Sequence, residues 1–382
     1  MDPQPIPIGT NLISGQGSLE QVAHIADQRV LLVTDIGIVA AGHVERLEAT
    51  FAAKGTTYHR FDGVRENPDE DNVDACVAAY KQAFGADGAD WIVALGGGSS
   101  IDVAKGCSIL ANGGGRMRDY VGRKTKPHPQ PPVIAIPTTA GTGSEVQSFA
   151  LITNTDTGRK MACGGEVPRF AILDPDLTRS QPRFVAICAG LDTLAHSVET
   201  AVTTARTEAS VMYSREAFRL VERNFETILS NPDDLAARSA MLRASAAAGI
   251  AIENSMLGAA HSMANPLTRQ FGVVHGQAVG QLLPFVVRFN AQDKQASLGY
   301  AELAYDAGLV ERSVPTKDAV KQLIVRLREL VVIGGFERAP DNIPASAIDA
   351  LSSEAAEQWT AQFNPQPVDE AAFRSLFAQI TS

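Results

Sequence analysis

Cysteine is scarce in this sequence, and its spacing excludes two kinds of protein. The 382-residue chain has four cysteines, Cys76, Cys107, Cys163 and Cys188, and no two of them form a C-x-x-C pair. Disulfide frameworks and zinc modules both depend on closely spaced, paired cysteines. We therefore expect four reduced thiols that fill core or surface positions, and a cytoplasmic protein.

Positive charge and long apolar runs are also lacking. The formal net charge is −10, whereas nucleic-acid binding needs a basic face, so we expect no nucleic-acid partner. The one basic run, "GRKTKPHP", is typical of a solvated loop. No uninterrupted stretch of about 18 apolar residues could span a bilayer, and "MDPQPIPIGT" lacks the pattern of a signal peptide. We expect no membrane partner.

The composition is that of a globular protein whose two halves differ in character. Hydrophobic residues make up 45% and charged residues 20% of the chain, and its length allows two or three domains. In the first half, "RVLLVTDIG", "DWIVALGGGSS" and "PPVIAIPTTAGTGS" each indicate a buried strand that enters a loop, which favours a parallel, helix-covered sheet. After Phe184 the chain is alanine-rich with helical periodicity. We predict an α/β domain over residues 1–182 and an all-α domain over residues 183–382, with a ligand in the cleft between them.

The glycine loop "LGGGSSIDVAKG" takes the place of the G-x-G-x-x-G pattern, which the sequence lacks. Gly96, Gly97 and Gly98 let the backbone approach a ligand closely, and the start of the next helix favours a phosphate. Ser99 and Asp102 have the spacing of a capping box. The alternative is a plain strand–helix turn capped by Ser99.

A second loop, "PTTAGTGSE", follows another predicted strand and adds hydroxyl groups from Thr138, Thr139, Thr142 and Ser144. The strand "LLVTD" ends in Asp35. An acid in that position of a dinucleotide-binding fold accepts hydrogen bonds from a ribose diol and repels a 2′-phosphate, which favours NAD over NADP. For Asp35 alone, a simple turn residue is the alternative.

The histidines of the second half suggest a metal site. Asp192 and His196 are four residues apart, so a helix would place both on one face, although such pairs also occur at plain surfaces. An unbroken helix would separate His261 and His275 by roughly 21 Å. Pro266 should break or kink that helix, after which a new helix can begin at "HGQAVGQLL". One carboxylate and three imidazoles would then converge, a donor set that suits Fe²⁺ or Zn²⁺.

The chain resembles the iron-containing (group III) alcohol dehydrogenases over nearly its whole length. The segments that carry the resemblance are "FDGVRENP", "ALGGGSSIDVAK", "PTTAGTGSEV", "LDPDLT", "GLDTLAHSVET", "HSMANPL", "VVHGQAVG", "LLPFVVRFNA" and "FNP". The resemblance implies a dinucleotide-binding N-terminal domain and a helical C-terminal domain, as in dehydroquinate synthase-like folds, with a divalent metal in the cleft between them. It also implies a homodimer or larger homo-oligomer.

The resemblance also assigns residues. The implied metal ligands are Asp192, His196, His261 and His275. Gly97, Gly98 and Ser99 would contact the pyrophosphate, and the three threonines would lie around the adenine and phosphates. Asp35 would bind the adenosine ribose, and Lys160 and Leu177 would lie nearer the nicotinamide. The full set of expected cofactor contacts is Asp35, Asn67, Gly96, Gly97, Gly98, Ser99, Asp102, Thr138, Thr139, Thr142, Ser144, Lys160 and Leu177.

Asn265 departs from the family pattern, because many members carry a second histidine there. That histidine is usually assigned to proton relay or to contacts with substrate and cofactor, and asparagine cannot take up a proton near pH 7. Asn265 is therefore a candidate catalytic position with a changed role. Phe285 likewise stands where a histidine is common, which suggests either a more apolar pocket wall or a structural phenylalanine.

These observations favour a metal-dependent, NAD(P)-linked alcohol dehydrogenase that transfers hydride between nicotinamide C4 and a metal-bound alcohol, aldehyde or ketone. A maleylacetate-reductase-like oxidoreductase is one alternative, in which Arg269 could bind an acidic substrate. A dehydroquinate-synthase-like lyase that uses NAD transiently is another. A non-catalytic dinucleotide-binding protein is the third.

Overall fold

The computed structural model describes residues 9–122, 128–337 and 343–380. The chain forms two compact units, one ending at Gln181 and the other beginning at Pro182. The start of the chain and most of the basic run "GRKTKPHP", on which predictions were made above, lie outside the described residues.

The first unit contains a six-stranded sheet and a two-stranded antiparallel ribbon. The sheet has the order β1-β8-β5-β4-β2-β3, and all its pairs are parallel. The three strands predicted from sequence are confirmed as the adjacent central strands β2, β4 and β5. The ribbon pairs β6 with β7. The strands are β1 Asn11–Ser14, β2 Arg29–Val33, β3 Thr57–Phe61, β4 Trp91–Gly96, β5 Val133–Pro137, β6 Phe149–Thr153, β7 Lys160–Gly164 and β8 Phe170–Leu173.

Helices cover both faces of this sheet. Leu31, Val33 and Ile92 belong to a core cluster that also contains residues of α4 and α5. Leu32 and Val93, which alternate with them along the strands, belong to a second cluster with residues of α1 and α3. Strands buried on both faces are typical of parallel sheets. The helices of this unit are α1 Val22–Ile25, α2 Ile36–Ala40, α3 His43–Lys54, α4 Glu70–Phe84 and α5 Gly98–Gly113, with 3₁₀ turns at Ser18–Gln21, Met117–Tyr120, Ser144–Val146 and Pro175–Thr178.

The second unit is helical throughout its described part, with no strand there after Leu173. The predicted fold class, an α/β domain followed by an all-α domain, is therefore confirmed. The helices are α6 Arg183–Thr200, α7 Glu208–Ser230, α8 Leu235–Glu253, α9 Ala259–Phe271, α10 His275–Asn290, α11 Lys294–Ala307, α12 Thr316–Ile333, α13 Ile348–Ala356 and α14 Glu370–Ala378, with 3₁₀ turns at Ala345–Ala347 and Ala361–Phe363.

Helix α8 is long and apolar enough to cross a bilayer by length and composition, the one such helix in the described ranges. However, 78% of its most apolar window is buried inside the protein. Burial of that extent is typical of a core helix, whose apolar side chains are covered by neighbouring helices.

Candidate metal centre and cofactor loops

Helix α6 carries three titratable side chains on one face. Asp192, His196 and Glu199 are spaced i, i+4 and i+7 along the helix, which places them one above another. They are 6%, 5% and 3% exposed. Buried ionisable groups need partners, so this face of α6 is a candidate functional surface rather than a solvated one.

Helices α9 and α10 supply the other two histidines, but not by the predicted route. Of the break or kink predicted at Pro266, the break is wrong, because α9 continues through Pro266 to Phe271. Pro266 and Leu267 are buried, and this packing outweighs the loss of one backbone hydrogen bond. The helix ends at Gly272, whose φ of 67° is the left-handed conformation that glycine adopts readily. The predicted new helix is confirmed, since α10 begins at His275.

The three histidines that the sequence singled out converge on one carboxylate oxygen of Asp192. The Nε2 atoms of His196, His261 and His275 lie 3.4, 3.5 and 3.7 Å from Oδ1 of Asp192. Ligands about 2.0–2.2 Å from a common ion are separated by distances of roughly this size. The ligand atoms of Asp192, His261 and His275 all lie within 4.8 Å of one another. His196 completes the set, because its ring stacks on that of His261 with centroids 4.8 Å apart.

The donor atoms have the properties of a metal site. Within the described part of the chain, buried Asp192 Oδ1 and His261 Nε2 have no hydrogen-bond partner. Leaving such atoms unsatisfied is costly, and a divalent cation would satisfy both. One carboxylate and three imidazoles fit Fe²⁺ or Zn²⁺. The residues present therefore fit the metal that the sequence resemblance implies.

The electrostatics of the cluster keep Asp192 charged. Burial works against its carboxylate, but His196, His261 and His275 outweigh this and hold the pKa of Asp192 well below its usual range. Burial also opposes the charged form of His261, yet the carboxylates of Glu199 and Asp192 raise its pKa to about 9. In the metal-free protein, His261 is therefore protonated beside the ionised carboxylate of Asp192. Binding of a cation would displace the proton from Nε2 of His261.

Sequence reasoning did not single out Glu199. Its Oε2 lies 2.5 Å from Nδ1 of His261. The available signal was its position three residues after His196, on the face of the helix that carries the predicted ligands. A glutamate at that spacing is too common on helices to be distinctive without the structure.

Asn265 lies one helical turn after His261 and is half-buried. Its Nδ2 donates a hydrogen bond of 3.0 Å to Oε1 of Gln358, which fixes the orientation of its amide.

Arg269 donates from Nε to Oε1 of Glu354 at 2.7 Å and forms an ion pair with the same carboxylate. That pairing neutralises the cation considered for an acidic substrate. Phe285 is half-buried. The guanidinium carbon of Arg328 lies over its ring, 5.7 Å from the ring centroid.

In the first unit, the glycine loop leaves a helix N-terminus open. The N-cap of α5 is Gly97, with no side-chain cap, and the helix starts at Gly98. The prediction that Ser99 caps the helix is therefore wrong, because Ser99 already lies inside its first turn. A glycine cap leaves the first N–H groups available to an anion.

The two predicted cofactor loops lie against each other. A Cβ on Gly98 would lie 2.7 Å from Cγ2 of Thr142, and one on Gly97 would lie 3.5 Å from Oγ1 of Thr139. The N–H of Thr138 donates to the carbonyl of Gly96 at 2.9 Å. The close contact with Thr142 explains why position 98 favours glycine, whereas the distance at Gly97 is ordinary van der Waals contact.

A buried lysine connects the same loops. Lys105 is 1% exposed, lies 3.0 Å from Oδ1 of Asp102, and donates to the carbonyls of Ser144 and Phe149 at 3.1 and 2.5 Å. Oγ of Ser144 donates to Asp102 at 2.5 Å. The carboxylate of Asp102 and the hydroxyl of Ser144 thus bind each other within the protein, and their predicted contacts with a cofactor remain predictions. Sequence reasoning missed Lys105, because a lone helical lysine usually faces solvent.

The remaining predicted cofactor residues lie on separate elements of the first unit, and Asp35 lies beside the glycine loop. Asp35 caps α2 by accepting from Ile38 N at 3.0 Å, and it accepts from Ser100 Oγ at 3.2 Å. Asn67 is exposed, with a positive φ of 50°. Lys160 opens β7. Leu177 is fully buried in the core, so its side chain is covered by protein.

The chain matches known proteins over almost all of its length. A family model described as iron-containing alcohol dehydrogenase matches residues 9–175, and one described as Fe-containing alcohol dehydrogenase family, C-terminal, matches residues 186–381. Alcohol dehydrogenase 4 of Schizosaccharomyces pombe is 33% identical, over 85% of this chain and 78% of its own length.

Two solved structures have the same fold. The crystal structure of a 1,3-propanediol oxidoreductase has a TM-score of 0.92 and 29% identity and covers 97% of both chains. That of sulfoacetaldehyde reductase from Bifidobacterium kashiwanohense in complex with NAD⁺ has a TM-score of 0.89 and 26% identity, with 100% coverage of both chains. With two family models that together span nearly the whole sequence, the chain belongs to the iron-containing alcohol dehydrogenase family.

Proposed function

We propose that this chain is a metal-dependent, NAD-linked alcohol dehydrogenase that interconverts an alcohol with an aldehyde or ketone. The observation that carries the proposal is the convergence of three imidazole Nε2 atoms within 3.4–3.7 Å of one oxygen of Asp192. The NAD⁺ complex of the related sulfoacetaldehyde reductase supports the choice of cofactor. NADH oxidation by a panel of short aldehydes and ketones tests the reaction; a lyase that recycles its cofactor would produce no net change in NADH.

In this proposal, different residues of the chain would bind the metal and the cofactor. Asp192, His196, His261 and His275 would hold Fe²⁺ or Zn²⁺, and when bound such an ion polarises a carbonyl and lowers the pKa of an alcohol. The open N-terminus of α5 at Gly97 would bind the pyrophosphate. A nicotinamide cofactor, when bound, would supply or accept the hydride that interconversion of an alcohol and a carbonyl requires.

The pairing of Arg269 with Glu354 favours a neutral substrate over an acid. A maleylacetate-like dicarboxylate would need a cation to bind it. Arg269, the candidate identified from sequence, is already paired with Glu354. We therefore propose an uncharged alcohol or carbonyl compound as the substrate.

Replacing Asp35 with asparagine should relax the preference for NAD over NADP. Asparagine caps helices about as well as aspartate, so the bond to Ile38 N should persist, while the charge that would repel a 2′-phosphate is removed. We expect kcat/KM for NADPH to rise about tenfold, or by about 1.4 kcal/mol, with little change for NADH. Steady-state kinetics with both cofactors checks this, and an unchanged NADPH/NADH ratio would exclude Asp35 from the ribose site.

Replacing Asn265 with histidine should change the pH dependence of turnover more than the metal content. Histidine titrates near neutral pH, and the asparagine, held by Gln358, only orients hydrogen bonds. Asn265→Gln is the matched control, because it also cannot titrate. Turnover against pH and metal content would be measured for both variants; a histidine variant with the wild-type pH profile would refute a proton-relay position.

We also propose a homodimer or larger homo-oligomer in the cytoplasm. Strand β1 lies at an edge of the sheet and is largely exposed, with Leu12 43% accessible, and such edges favour pairing with another chain. The four buried free cysteines are consistent with a reducing compartment. Light scattering of the purified protein measures the assembly.

A further inference from the structure

The carboxylate of Glu199 is buried and contacts three donors. It is 3% exposed. Its Oε1 accepts from Ala260 N at 2.7 Å, and its Oε2 accepts from Gly258 N at 3.2 Å and contacts His261 Nδ1 at 2.5 Å. One side chain of α6 therefore fixes both the start of α9 and the imidazole that this helix carries.

The surroundings hold this arrangement rigidly. A Cβ on Gly258 would lie 2.9 Å from Oδ1 of Asn364 and 3.2 Å from Oε1 of Glu199. Asn364 accepts from Ala259 N at 3.2 Å and exchanges hydrogen bonds of 3.0 and 2.7 Å with Asn290. Three donors thus hold the carboxylate in place, and a side chain at position 258 would crowd it.

The contact with Nδ1 determines which nitrogen of His261 faces Asp192. Each oxygen of Glu199 already accepts from a backbone N–H, so the contact between Oε2 and Nδ1 assigns the donor hydrogen to Nδ1. The lone pair that can bind a cation is then on Nε2, 3.5 Å from Oδ1 of Asp192. A carboxylate behind a ligating imidazole orients the ring and increases its basicity.

We propose that Glu199 is a positioning residue of the metal centre, which fixes the tautomer and orientation of His261 so that Nε2 faces the ion. This inference rests on the proposed metal-dependent function. A competing role is purely structural, because the same carboxylate also caps α9. The two roles differ in what they predict for metal affinity and for the tautomer of His261.

The test compares Glu199→Gln with a matched control, Asp174→Asn. Asp174 is a fully buried carboxylate of the first unit that accepts from Leu19 N at 3.1 Å and Gly17 N at 3.2 Å, so its replacement measures the loss of a buried capping charge. Zinc affinity of the metal-stripped proteins would be measured by competition with a chromogenic chelator. We expect Glu199→Gln to bind zinc about 10–100-fold more weakly than wild type, and Asp174→Asn to bind as wild type does.

A spectroscopic measurement on the wild type provides a second readout if Glu199→Gln does not fold. With ¹⁵N-labelled histidine and bound Zn²⁺, the His261 resonances, assigned by their loss in His261→Asn, should show a slowly exchanging proton on Nδ1 and metal on Nε2. Metal on Nδ1, or a zinc affinity of Glu199→Gln within twofold of wild type, would overturn the inference while leaving the proposed function intact. A wild-type protein that binds neither Zn²⁺ nor Fe²⁺ would instead overturn the proposed function itself, and this inference with it.

Discussion

Replacing Asp192 with asparagine is expected to abolish metal-dependent reduction of aldehydes. Oδ1 of Asp192 is the one atom that all three histidine Nε2 atoms approach, and the substitution removes the only negative charge in the proposed ligand set with little change in shape. Metal affinity should fall by more than the roughly 10–100-fold that loss of an outer-shell partner costs. Metal content after dialysis and NADH oxidation with an aldehyde would be measured together.

A second carboxylate of the same unit provides the control for Asp192. Asp293 caps α11 by accepting from Ala296 N at 2.8 Å, and asparagine preserves such a cap. Asp293→Asn should therefore bind metal and turn over as the wild type does. Wild-type metal affinity in Asp192→Asn would contradict the assignment of this carboxylate as a ligand.

Replacing Gly276 with alanine is expected to have the largest effect on stability. Gly276 follows His275 in α10, and a Cβ there would lie 2.0 Å from the backbone oxygen of Cys188 on α6. Because the obstacle is backbone, the two helices would have to separate. We expect a loss of about 3 kcal/mol, the upper end for overpacked sites. Metal binding should weaken as well, since Cys188 lies one turn before Asp192 and the separation would move His275 away from it.

Gly280, one turn further along α10, is the matched control for Gly276. A Cβ at Gly280 would meet only the side chain of Leu191, at 3.0 Å, and a side chain can shift. Urea unfolding of the metal-free proteins should show a much smaller loss for Gly280→Ala than for Gly276→Ala. Equal losses, or wild-type stability of Gly276→Ala, would show that helix separation is not the cause.

The sequence predicted three buried central strands of the sheet and missed its exposed edge strands. Strands β2, β4 and β5 are almost wholly buried, so each forms an apolar run that is readily recognised. The edge strands β1 and β3 are mostly exposed. Because they contain polar residues, they lack the apolar run by which a buried strand is recognised in the sequence. Strand β8 is only four residues long.

At the metal centre, local spacing was informative and the turn between the helices was not. The i, i+4 spacing of Asp192 and His196 held because both lie in one continuous helix. The reversal between His261 and His275 begins at Gly272, which ends the helix, and not at Pro266. Proline lowers helix stability, while tertiary packing decides whether the helix continues.

The most direct test of the account is to reload metal-stripped protein with Fe²⁺ and follow NADH oxidation by a short-chain aldehyde. If Asp192, His196, His261 and His275 hold the catalytic ion, no turnover is expected without metal, and the rate should rise with the amount of ion bound, reaching its limit at one ion per chain. Full turnover in the stripped protein, or a fully loaded protein that consumes no NADH with any aldehyde or ketone of the panel, would contradict this assignment.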